Sequence, residues 1–118
     1  MSCLFNSIST FVTESPESLR SQACDYLERN GRLFDDKHAT EVVSSDYIKN
    51  MRRVSEWGGG VEIRALCELL NLTVVVSGPT SVKPIIFQPL EVIFGNRHVF
   101  LNYNGSHYEP MSPIIFST

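Results

Sequence analysis

The feature that most constrains this chain is a change of texture at Asn71. Before it, apolar residues recur every three or four positions; after it, they gather in short β-branched runs of strand length. From Cys3 to Val12, Leu4, Phe5, Ile8, Phe11 and Val12 form one stripe, which predicts a largely buried helix. Ser15-Pro16 is a helix start, Leu19, Ala23, Tyr26 and Leu27 keep the period, and Asn30-Gly31 supplies a left-handed stop. A second helix over Pro16 to Asn30 follows. Residues 32 to 44 read as irregular. Ser45 then caps a short helix that turns Tyr47, Ile48 and Met51 inward and ends before Trp57. Val61 to Leu70 reads as a fourth, with Ile63, Leu66, Cys67 and Leu70 at helical spacing.

The second half reads as sheet. "LTVVVS" at 72–77 is a strand run bounded by Gly78-Pro79, and "IIFQ", "EVIF", "VFLNY" and "HYEPM" are further β-prone runs. Asn104-Gly105 predicts a hairpin with a type I′ turn, because both residues accept positive φ. Helices first and strands after give an α+β fold, with N-terminal helices packed on a small, mostly antiparallel C-terminal sheet in one domain spanning 1–118.

Composition removes several classes of function. With 118 residues, 42% of them hydrophobic, the chain builds one core without metal or disulfide staples. Cys3, Cys24 and Cys67 are too few to pair completely and lack metal-ligand spacing, which points to free thiols in a reducing, intracellular, cytoplasmic setting. No metal or cofactor is expected. A net charge of −3, with Lys49, Arg52 and Arg53 neighboured by Asp46 and Glu56, leaves no footprint for nucleic acid. No apolar stretch approaches the roughly 20 residues of a membrane span, so no membrane insertion is expected. "GGG" at 58–60 lacks the lysine and hydroxyl residue that a phosphate loop places after it.

Chemistry concentrates at the two ends. Strand alternation puts His107 and Glu109 on one face and Tyr108 on the other, so a base and an acid share a surface. A thiol protease needs such a pair, one group to take the thiol proton and one to orient the imidazole. Cys3 stands at a helix start, where unpaired N–H groups favour a thiolate and can bind an oxyanion. One cysteine and one distant histidine co-occur in many proteins, so on pattern alone Cys3 is open between nucleophile and buried terminal thiol. His107 is likewise open between base and surface strand residue, and Trp57 with its glycines between groove wall and core with punctuation. Cys24 and Cys67 read as core, and His38 and His98 as solvated.

These residues resemble the ovarian tumour (OTU) domain cysteine proteases, most of which remove ubiquitin from proteins. The resemblance is carried by "CLFNSI", Leu19-Arg20, "YIKNM", "WGGGVEIRAL" and "FLNYNGSHYEPM", in family order across nearly the whole chain. It implies the papain-like cysteine protease class, Cys3 as nucleophile, His107 as general base and Glu109 as the orienting acid. It also implies a substrate groove bordered by Trp57, Gly58, Gly59 and Tyr108, and an oxyanion hole at Ser2 and Cys3. The partner implied is ubiquitin or a ubiquitin-like modifier.

Two positions depart from the family. Its Asp-Gly-x segment before the cysteine is replaced by Met1 and Ser2, and the orienting residue is more often Asp or Asn than Glu. A carboxylate displaced by a methylene strains a contact that tolerates about 0.5 Å. So short a chain, starting just before its nucleophile, reads as a domain cut from a longer protein. Compact domains of this kind occur in viral replicase polyproteins, which implies polyprotein cleavage beside ubiquitin removal. A dedicated polyprotein endopeptidase and a catalytically weak module binding ubiquitin or a replicase partner are the competing readings.

Overall fold

The structure is a computed structural model that describes residues 3–30, 45–78 and 83–111. The expected irregular segment at 32–44, His38, Gly31 and Ser2 lie outside the described residues. Four helices precede four strands: α1 (Cys3–Ser9), α2 (Pro16–Asn30), α3 (Ser45–Met51), α4 (Gly60–Leu70), β1 (Leu72–Ser77), β2 (Ile85–Phe87), β3 (Arg97–Tyr103) and β4 (Tyr108–Pro110). The α+β expectation holds.

Local chemistry explains the helix ends. The Ser15 hydroxyl accepts from the Ser18 amide at 3.2 Å, capping α2 as Ser15-Pro16 promised. At α4 the Glu62 carboxylate accepts from the Gly59 amide at 2.7 Å, and Asn71 ends the helix in the left-handed region at φ 54°. The first helix is shorter than its apolar stripe. At Thr10 the side chain and amide both bond back to the Ser7 carbonyl, and Phe11 bonds back to Ile8, so the chain tightens into a turn while Phe11 and Val12 still pack on the core.

The sheet order is β2-β1-β3-β4. Its outer pairings are antiparallel, but the longest, β1 with β3 from Leu72↔Arg97 to Ser77↔Asn102, is parallel. β2 returns the chain to the level where β1 begins, so a strand then added along the other edge of β1 must run parallel to it. The "EVIF" run forms no strand. Both edges of β1 are already occupied, and residues 88–96 instead cross over its start, tied by the Asn71 side chain donating to the carbonyls of Ile93 and Phe94. The turn after β3 also differs from expectation. Gly105 has positive φ and Asn104 does not, so a four-residue loop replaces the type I′ pair, with the Asn104 side chain bonding ahead to the amides of Ser106 and His107.

One face of the sheet, bearing Leu72, Val74, Val76, Val99 and Leu101, closes the core against Leu4, Phe5 and Ile8 of α1 and Ile63 and Leu66 of α4. Leu19, Ala23, Cys24 and Leu27 of α2 cover those helices from behind. Gly58 sets how closely the α3–α4 loop approaches α1. A Cβ there would stand 2.9 Å from Leu4 Cδ2 and 3.0 Å from the Phe5 ring, and both neighbours are fully buried. Gly58→Ala is therefore expected to lower stability by about 1–3 kcal/mol, an overpacking cost. The shift in urea midpoint measures it, and Gly59→Ala, where nothing lies within 4 Å of the new Cβ, is the control.

Candidate active site

A cleft of about 580 Å³ runs between the exposed flank of α1 and the strand β4. Cys3, Asn6, Ser7 and Thr10 form its first wall, one stripe of helix and the turn after it, while His107, Tyr108, Glu109 and Pro110 form the other. Trp57 borders the same cleft and is half exposed. Residues more than a hundred positions apart thus share one space.

The walls are joined by a hydrogen bond absent from any sequence signal. The hydroxyl of Ser7, itself buried, donates to the Tyr108 carbonyl at 3.1 Å, fixing β4 one turn along the helix from Cys3. The preceding loop is fixed as well. The Asn104 carboxamide oxygen accepts from the His107 amide at 2.9 Å, and the His107 carbonyl accepts from the Asn104 amide at 3.2 Å. His107 lies just ahead of β4, exposed like Glu109, while Tyr108 between them is partly buried and stacks on Tyr103 with centroids 4.5 Å apart. Burial, followed by the nearby Tyr103, Cys3 and Glu62, pushes the Tyr108 phenol up to about 12, so it stays a neutral hydroxyl.

Among the described residues no hydrogen bond joins the Cys3 thiol to the His107 imidazole, or the imidazole to Glu109. Thiol, imidazole and carboxylate line one cleft without a hydrogen bond among them, and such bonds are often loose before substrate tightens them. Gly58 and Gly59, which follow Trp57 in the chain, stand outside the cleft lining. Sequence reasoning missed Asn6, Ser7, Thr10 and Pro110; the i, i+3, i+4, i+7 spacing from Cys3 was the available signal for the first three. Among the described residues no cluster of three or more His, Cys, Asp or Glu could hold a metal ion, and no helix is long and apolar enough to cross a membrane.

The sequence profile of the OTU-like cysteine proteases matches residues 2–109. The chain belongs to that family. This OTU chain is 30% identical over 125 residues to ubiquitin thioesterase otu2 of Schizosaccharomyces pombe, a match covering 92% of the chain and 41% of the yeast protein. An OTU domain solved in complex with ubiquitin is 27% identical, with a TM-score of 0.75 over 92% of this chain and 62% of that one. The viral OTU domain protease from Dera Ghazi Khan virus shares the fold, with a TM-score of 0.70 at 23% identity over 94% of this chain and 76% of that one.

The three thiols of the OTU chain differ in exposure. Cys3 is partly exposed, whereas Cys24 and Cys67 are fully buried. Burial raises the pKa of both, Cys67 to about 12. With an aromatic disulfide reagent at pH 8, the native protein is expected to yield one reactive thiol, lost in Cys3→Ala, and all three only in denaturant. Reaction of two or more thiols before unfolding would contradict this burial.

Proposed function

We propose that this chain is a thiol-dependent isopeptidase, one domain spanning 1–118, that cleaves after the C-terminal glycine of ubiquitin or a ubiquitin-like modifier. The observation that carries the reading is the shared cleft of Cys3, His107, Glu109 and Trp57 in a chain of the OTU family. Relatedness to a protein named a ubiquitin thioesterase, and to an OTU domain solved with ubiquitin, supports the choice of modifier.

The chemistry proceeds through an acyl-enzyme. Cys3 Sγ attacks the glycine carbonyl carbon as His107 takes the thiol proton, and the resulting oxyanion is held by amides at Ser2 and Cys3. The C–N bond then breaks, and the lysine amine leaves with the proton from His107. Water, deprotonated by the same imidazole, attacks the thioester, releasing the carboxylate and the free thiol. Glu109 orients His107. The modifier's tail lies extended past Trp57 and Tyr108, and Gly58 and Gly59 behind Trp57 keep that wall low. The site acts inside the cell on conjugates of the modifier.

Origin in a viral replicase, with cleavage of its polyprotein, has only the fold of viral OTU proteases to support it. The isopeptidase is therefore the stronger reading.

With ubiquitin carrying a fluorophore amide at its C terminus, Cys3→Ala is expected to abolish turnover. His107→Gln should lower kcat/KM by about 10²–10⁴-fold, the usual range for loss of a general base, with Glu109→Gln between it and the wild-type chain. Turnover that survives Cys3→Ala would refute the mechanism. Cleavage of short peptides but not of the ubiquitin amide would select the endopeptidase reading.

A further inference from the structure

Trp57 forms one wall of the cleft, yet its side chain is half exposed and no core holds it. Its position depends on the backbone on either side. Gly59 is held at its amide by the buried Glu62 carboxylate, whose other oxygen accepts from the Tyr47 hydroxyl at 2.5 Å, and Gly58 rests on Leu4 and Phe5. The stretch before Trp57 has no such packing, and beyond Arg20 its tie to α2 is the exposed ion pairing of Arg52 with Asp25 and Glu28. Its side chains Arg52, Arg53, Val54 and Ser55 are exposed, and the backbone makes only isolated turns, such as the Glu56 amide bonding to the Arg53 carbonyl.

We infer that Arg20, on α2, is the positioning residue that sets this wall of the cleft against the helix bearing Cys3. Arg20 is 4% exposed, and its guanidinium reaches three successive parts of the loop. Nη1 donates to the Met51 carbonyl at 2.7 Å, and Nη2 to the carbonyls of Glu56 at 2.8 Å and Val54 at 3.3 Å. Glu56 is the residue immediately before Trp57. The same guanidinium lies over the Phe5 ring, 4.6 Å from its centroid, and Phe5 is two residues from Cys3 on α1. A single planar cation thus touches both the nucleophile's helix and the last backbone carbonyl before Trp57. Bonds from a charged donor to carbonyls in a buried site are among the stronger hydrogen bonds.

The geometry requires arginine. Three carbonyls spread over six residues need donors diverging in one plane, with a flat face left to stack on Phe5. A lysine ammonium is a point charge on a flexible stem and cannot meet the far carbonyls while covering the ring. Arg20→Lys should keep the fold and the charge but loosen the loop.

Trp57 is the only tryptophan in the chain, so its fluorescence reads the loop directly and without substrate. In Arg20→Lys, with far-UV circular dichroism unchanged, acrylamide should quench Trp57 more strongly than in the wild-type chain. KM for the ubiquitin amide should rise by about tenfold, with a smaller change in kcat, since small misplacements of a substrate wall are costly. Iodoacetamide should alkylate Cys3 at the wild-type rate. Unchanged quenching in the folded variant overturns the inference, as does a parallel rise in alkylation of Cys24 and Cys67, which marks general loosening. If Arg20→Lys does not fold, amide exchange in the wild-type chain decides: a Glu56 amide as slow as those of α4 supports the brace, and one as fast as an unfolded peptide refutes it. The KM effect rests on the isopeptidase reading, whereas the fluorescence does not. Loosened Trp57 in a chain whose wild type never turns over ubiquitin amide would sink that reading and leave the brace standing.

Discussion

The candidate cleft depends on the burial of one short helix. Seven residues cannot hold an α-helix in water by their own hydrogen bonds, so α1 exists because Leu4, Phe5 and Ile8 are fully buried between α2 and the sheet. Each such side chain contributes about 1.5–3 kcal/mol, the main favourable contribution set against the entropy of ordering the helix. Where the core puts α1, it also puts Cys3. Ser7, on the flank of the same helix, then bonds to the Tyr108 backbone and brings in β4. Helix α1 and strand β4 meet through packing first and a single directional contact second.

Two buried charges do the finer placing. Arg20 and Glu62 lie in the interior, where an unpaired ion costs several kcal/mol, and both direct their hydrogen-bonding capacity largely to backbone or hydroxyl groups around the α3–α4 loop. Such groups add little net stability compared with apolar side chains of the same size. Their value here is specificity of position, since a loop as exposed as 52–57 has almost no apolar contacts to hold it.

Much of the fold is legible in the order of residues alone. Helix α2 has the bounds its start and stop signals imply, and α4 begins one residue before its expected first turn. These features are local: caps, period and β-branched runs act over a few residues. What escapes such reading is non-local. The parallel pairing of β1 with β3 depends on which edge of β1 receives the later strand, and "EVIF" has strand propensity but lies in the crossover between β2 and β3, with both edges of β1 taken. Cys3, His107, Glu109 and Trp57 can be gathered into one site from their pattern and family likeness. The brace by Arg20 cannot, because its acceptors are backbone carbonyls, which every residue carries and no sequence marks.

The central claim is that Cys3 is the thiol to which the modifier becomes joined. Ubiquitin with a thiol-reactive group in place of its terminal carboxylate would be incubated with the native protein, and the adduct digested and mapped by mass spectrometry. The expected result is one ubiquitin per chain, attached at Cys3 and absent when His107 is replaced by Gln or when the protein is unfolded first. Attachment at Cys24 or Cys67, or equal labelling of native and unfolded protein, would contradict it.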